Sequence, residues 1–122
     1  DSINNEYYLL GYTGTETELT LPTTEYNYEI YEYAFYYCDM KSEINKVIIP
    51  NSVTGIWRSA FFGCKRLTSV TFEDPNGWWY TSNPNATSGA SLSADDLSNT
   101  STAAKYLTST YYTEYWFKGE RS

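Results

Sequence analysis

The stretch Val47-Ile-Ile-Pro-Asn-Ser-Val-Thr-Gly-Ile-Trp-Arg-Ser-Ala-Phe-Phe-Gly-Cys-Lys-Arg-Leu-Thr-Ser-Val-Thr-Phe72 holds one complete structural repeat and the start of the next. Two apolar residues spaced by two, Val47 and Ile49, are followed by Pro50, and the pair returns as Val70 and Phe72. Between them lie Val53, Ile56, Ala60, Phe61, Cys64 and Leu67. A self-similarity of this length belongs to proteins whose chain coils on itself, each turn lending its apolar filling to its neighbour.

An earlier copy precedes it. Leu19-Thr-Leu-Pro22 matches Val47 to Pro50, Ile30 matches Ile56, Ala34-Phe35 matches Ala60-Phe61, Cys38 matches Cys64 and Ile44 matches Leu67. The earlier copy has two extra residues between Pro22 and Ile30 and three between Cys38 and Ile44. Loops absorb such insertions.

Ile49-Pro-Asn-Ser-Val-Thr-Gly-Ile56, Ala60-Phe-Phe-Gly-Cys64 and Leu67-Thr-Ser-Val-Thr-Phe72 resemble the BspA-like leucine-rich repeats of bacterial surface proteins. The resemblance covers 47–72 and, with more departures, 19–46; Trp57 stands where the family usually has glycine. It implies an α/β leucine-rich-repeat solenoid, mostly β, wound as a short right-handed coil with one strand and one short helical turn per repeat. It also implies a secreted or cell-surface location and a role in adhesion or binding without catalysis.

Side chains alternate between the faces of a strand. Leu19 and Leu21, Val47 and Ile49, Val70 and Phe72 are therefore expected inside the coil. Glu18, Thr20, Lys46, Ile48, Ser69 and Thr71 are expected outside, on a concave sheet, and form the candidate ligand face. Ser59-Ala60-Phe61 predicts a helical turn on the opposite side, and Gly63 a left-handed position, where the first copy has Tyr37.

Two and a half repeats are short of the three normally needed for stability, so the flanks must complete the core. The chain reads as one domain over 1–122, with an N-terminal cap at 1–18, repeats at 19–72 and a C-terminal cap at 73–122. Residues 6–12 predict a strand that turns at 13–15 and pairs with 18–21 as a hairpin. The C-terminal cap predicts strand, helix and strand. Trp78 to Thr81 is a strand laid beside the last repeat, 82–93 an irregular loop, and Leu97, Ala103, Ala104 and Leu107 suit a short amphipathic helix capped by Ser98 or Asn99. Tyr111 to Lys118 closes the fold.

The 122 residues carry a net charge of −7, with nine acids against Lys41 and Lys46 in the first fifty. Arg58, Lys65 and Arg66 are too few for a phosphate-binding surface, so nucleic acid is excluded as a partner. No apolar run is long enough to span a membrane. The chain opens with Asp1, as a processed or cut chain would.

There is no histidine, which removes Ser-His-Asp and Cys-His catalysis. Glu73-Asp74 and Asp95-Asp96 are the nearest paired acids, and adjacent acids on polar loops are usually solvated turn residues. No phosphate loop or calcium loop is present, and no cofactor is expected. Asn85-Ala-Thr87 and Asn99-Thr-Ser101 match a short glycosylation motif that is common by chance. Cys38 and Cys64 read first as a ladder of free thiols filling the same pocket twice, with a disulfide as the alternative. With only these two thiols and no histidine, neither metal nor catalysis is expected.

The expected function is therefore non-enzymatic binding of a host or bacterial surface protein. A glycan-binding module using Trp78, Trp79, Tyr26, Tyr28 and Tyr31 is one alternative, with the tryptophans exposed if it holds and buried if they only close the coil. A structural spacer without any ligand on the concave face is the other.

Overall fold

The computed structural model describes residues 7–12, 14–36 and 43–121. Among these described residues nine strands form two sheets: β1 Tyr8–Leu9, β2 Glu18–Thr20, β3 Tyr28–Ile30, β4 Lys46–Ile49, β5 Val53–Ile56, β6 Ser69–Phe72, β7 Trp78–Thr81, β8 Ala90–Ser91 and β9 Tyr115–Lys118. The smaller sheet has the order β2-β4-β6 and the larger the order β1-β3-β5-β9-β7-β8.

The smaller sheet is the one the repeat announces. All its pairings are parallel, and Leu19, Val47 and Val70 are register partners. Val47 and Val70 are fully buried, as are Ile49 and Leu21, and Phe72 is nearly so. β-Branched residues suit a pleated, half-buried surface, and here buried apolar positions alternate with outward ones that are polar except for Ile48. Pro50 ends β4, and its carbonyl accepts from the Val53 amide at 3.0 Å.

The turn that follows leads into a second strand, which differs from the expectation of one strand per repeat. Val53–Ile56 pairs in parallel with Tyr28–Ile30, with a one-residue slip between Tyr28 and Glu29. Each turn of the chain is therefore strand, bend, strand and turn. The expected N-terminal hairpin is also corrected. β1 runs parallel to β3, with Leu9 opposite Ile30, and makes no pair with β2. Its apolar Leu9 sits on the same inward row as Ile30 and Ile56, so β1 behaves as a further coil rather than as a folded-back lid.

The expected helical turn is a run of tight turns rather than a helix, with the Phe62 amide donating to the Ser59 carbonyl and the Cys64 amide to the Phe61 carbonyl, each at 3.2 Å, and one left-handed residue in each copy. Ser59 has φ 57° and its counterpart Tyr33 has φ 63°. A left-handed residue cannot continue a right-handed helix. The bends nevertheless stack: the Phe35 amide donates to the Ala60 carbonyl at 2.7 Å, and the Phe35 and Phe61 rings lie 4.9 Å apart and within 2° of parallel. Gly63 is left-handed as expected, with φ 82°. Its counterpart Tyr37 lies outside the described residues.

Cys64 is buried and disulfide-bonded, which overturns the free-thiol expectation; the sequence's other cysteine, Cys38, lies outside the described residues. The physical reason is the stacking itself. Cys64 follows the stacked bend directly, and its sulfur lies 2.8 Å from the Phe35 carbonyl of the preceding coil, so its side chain faces that coil.

After β6 the periodicity stops. The Asn76 amide donates to the Asp74 carboxylate at 3.0 Å, and the chain reverses. β9 enters antiparallel beside β5, and β7 pairs with β9 rather than with a repeat strand, correcting its expected place. Among the described residues two short helices, α1 Ala94–Ser98 and α2 Thr100–Lys105, pack over β6, and a π-turn at Tyr106–Thr110 continues from α2 and packs against it. Asn99 caps α2 as expected, accepting from the Ser101 and Thr102 amides; Ser93 caps α1. Ala103 and Ala104 are small enough for close approach and are fully buried. The main apolar core runs from Leu21 through Phe35 and Phe61 to Trp116, and Trp79, Tyr115 and Phe117 form a second, smaller cluster.

Candidate protein-binding face

The outward side of the smaller sheet carries two rows. Glu18, Lys46 and Ser69 are register partners in one, and Thr20, Ile48 and Thr71 in the other. All six expected residues are thus brought onto one face. Glu18 and Thr20 on the edge strand are exposed, and the other four are half-buried. Three strands about 4.8 Å apart, with rows about 7 Å apart, make a patch far smaller than the roughly 800 Å² that each partner contributes to a stable complex. Among the described residues the outer edge of β2 pairs with no strand, so its backbone can extend the patch by adding one.

The paired acids have structural partners. Glu73 accepts from the Asn51 amide at 2.9 Å. Asp74 accepts from Asn76 and pairs with Lys118 at 3.0 Å. These hydrogen bonds, the Asn76 amide's first and Lys118's next, lower its pKa to about 2. Asp95 and Asp96 occupy the first turn of α1, where negative charge is favourable, and Asp96 also accepts from Tyr106. Among the described residues no three metal-ligating side chains cluster.

Of the aromatic residues named for a glycan, Trp78 and Trp79 are buried, at 2% and 9% exposure. Trp78 packs against Phe72, and the Trp79 indole donates to the Gly119 carbonyl at 2.8 Å. Trp78 joins the main core, whereas Trp79 packs with Tyr115 and Phe117 in a separate cluster. Tyr31 packs between Tyr8 and Trp57. Tyr28 is buried and Tyr26 is exposed.

A polar cluster on the outer side of the larger sheet escaped the sequence. The Glu29 carboxylate accepts from the Trp57 indole at 2.8 Å and from Arg121 at 2.6 Å, while the Arg121 guanidinium lies 3.7 Å over the Phe117 ring. Gly55 makes room for it: a Cβ there would stand 2.8 Å from the Glu29 side chain. The Trp57 ring packs among Tyr8, Tyr31 and Tyr115 beside that carboxylate. The only sequence signal was the unusual tryptophan itself, since Arg121 belongs to no repeat.

The family model described as BspA type leucine rich repeat region (6 copies) matches residues 28–102. No curated protein matches this chain. Among solved structures, the crystal structure of a leucine rich cell surface protein from Faecalibacterium prausnitzii A2-165 is 32% identical, over 57% of this chain and 20% of its own, with a TM-score of 0.45. This chain therefore spans about a fifth of that protein's length.

Proposed function

Because the chain belongs to the BspA-type leucine-rich-repeat family, we propose that it is a non-enzymatic module, secreted or displayed on a bacterial surface, that binds a host or bacterial surface protein. The observation carrying this is the alignment of Glu18, Thr20, Lys46, Ile48, Ser69 and Thr71 in two straight rows on one solvent-facing sheet. A rigid parallel sheet holds those side chains in place before a partner arrives, which lowers the ordering cost of binding. Mixed charge with half-buried Ile48 at the centre suits a protein or an extended peptide. A short peptide strand added at β2 compensates for the small area.

The disulfide at Cys64 supports an oxidising location, since such bonds persist outside the cytosol. The missing histidine and the structural duties of the paired acids support a role without catalysis.

Capture of host extracellular-matrix proteins by the wild-type chain and by a Lys46→Glu/Ile48→Asp variant tests the face. The variant is expected to lose roughly tenfold or more in affinity, corresponding to about 1.4 kcal/mol. Equal capture by both would remove this face as the site and leave the spacer role standing.

A further inference from the structure

Four of the large apolar or aromatic side chains that the described residues leave exposed are tyrosines: Tyr7, Tyr26, Tyr33 and Tyr36. Two of them converge. Tyr7 and Tyr26, 45% and 49% exposed, have ring centroids 4.2 Å apart, with planes tilted by 32°. They form one wall of a groove of about 210 Å³ at the mouth of the β2–β3 connection, completed by Tyr8, Tyr28, Leu9 and Pro22. None of its lining residues belongs to the two rows of the smaller sheet, and it has no part in the protein-binding proposal.

We propose that this groove binds one neutral sugar ring of an oligosaccharide. Four properties select that ligand. The exposed rings offer flat π-faces on which the C–H face of a pyranose can stack. Tyrosine supplies hydroxyls beside those faces, so the ligand must be apolar on one side and hydroxylated at its edge. None of the lining side chains is charged, and the chain carries a net charge of −7, which repels phosphorylated and acidic ligands. The volume lies below the roughly 300–1,000 Å³ of drug-sized sites and suits a single ring. An extended proline-rich peptide, at about 3.1 Å per residue, needs a longer track of several residues.

The groove is also held open from behind. The Tyr28 hydroxyl donates to the Pro22 carbonyl at 2.7 Å, and burial, with Tyr26 contributing, pushes its pKa up to about 12, so the floor stays neutral. The Thr24 amide donates to Ser52 Oγ at 2.9 Å, and Ser52 donates back to the Thr24 carbonyl at 3.1 Å. The Glu29 amide donates to the Tyr7 carbonyl at 2.9 Å. Both segments that carry the exposed rings are therefore pinned to their neighbours, and little ordering is left to do on binding.

The test is a titration with neutral oligosaccharides, namely cellotetraose, chitotetraose and mannotetraose, followed through the aromatic NMR signals of the intact chain. At least one is expected to shift the Tyr7 and Tyr26 ring resonances. Tyr26→Ala and Tyr7→Ala, with unchanged circular dichroism, should each weaken it by roughly tenfold. Tyr33→Ala and Lys46→Glu/Ile48→Asp should leave it unchanged, so this site and the protein-binding face stand or fall separately. No shift with any of the three sugars overturns the proposal. So does binding that survives both tyrosine replacements, or a proline-rich decapeptide that moves the same resonances when the sugars do not.

Discussion

In the smaller sheet every pairing is parallel, the register never slips between β4 and β6, and inward positions hold only Leu, Val, Ile and Phe. The larger sheet is built partly from the same turns of chain, yet it slips by one residue between β3 and β5, changes direction at β9 and carries most of the tryptophan. The difference lies in what each sheet has to do. A sheet that only stacks identical coils can repeat one short apolar pattern. A sheet that must also stop the stacking needs residues that occur once.

If both sheets close the same core, damage on either side should be felt equally. Phe61 and Trp116 are each 1% exposed, the first within the stacked bends and the second on the closing strand. Phe61→Ala and Trp116→Ala are each expected to cost about 3–5 kcal/mol, the usual range for a buried aromatic, in a single denaturant transition. Two separate transitions in either variant would split the molecule into independent halves.

The next largest effect belongs to the repeating side. Reducing the disulfide at Cys64, or replacing it by serine, is expected to cost about 2–4 kcal/mol by freeing the unfolded chain. Thermal melts with and without reductant measure it. An unchanged midpoint would mean that stacking alone holds consecutive coils.

These contrasts also decide what could be read beforehand. The register Leu19–Val47–Val70 was legible because the period of the coil fixes it, and the face bearing Lys46 and Ile48 followed from alternation alone. The second strand of each repeat was not, since Val53-Thr-Gly-Ile56 does not alternate cleanly and its partner Tyr28-Glu-Ile30 lies behind an insertion. The direction of β1 was hidden for a simpler reason. A glycine-containing turn between two strands reads locally as a hairpin, whereas the choice of β3 as partner is made by the distant inward row. The Glu29–Arg121 pair joins residues from the first full coil and the end of the chain, and no local pattern predicts such a contact.

That pair provides the third and smaller effect. Arg121 and Glu29 are 25% and 16% exposed at the side chain, so their hydrogen bond is sheltered without being sealed. Arg121→Ala is expected to cost about 1.5 kcal/mol, the lower range for a hydrogen bond to a charged group. Glu29 would keep its Trp57 partner. Urea titration compared with Glu29→Gln separates charge from packing. Matching losses in the two variants would assign the effect to the ion pair, and a larger loss in Arg121→Ala would assign it to the contact with Phe117.

The smallest effect sits where the repeats end. Asp74 receives the Asn76 amide and the Lys118 ammonium, and its folded pKa of about 2 lies below the ordinary 3.8. A carboxyl depressed on folding contributes stability that is fully present above its unfolded value and is lost as pH falls through its folded value. Asp74 should therefore add a shallow decline in stability between about pH 4 and pH 2. Because its surroundings are open to solvent, screening keeps that decline modest and salt should weaken its Lys118 component. Asp74→Asn removes the titration while keeping an acceptor for Asn76, so the variant should be flatter across this window. If the two chains lose stability in parallel there, the reversal at Asp74 is held by contacts other than its carboxylate, as the bend at Ser59 is held by its amide's hydrogen bond to the Tyr112 carbonyl at 2.6 Å.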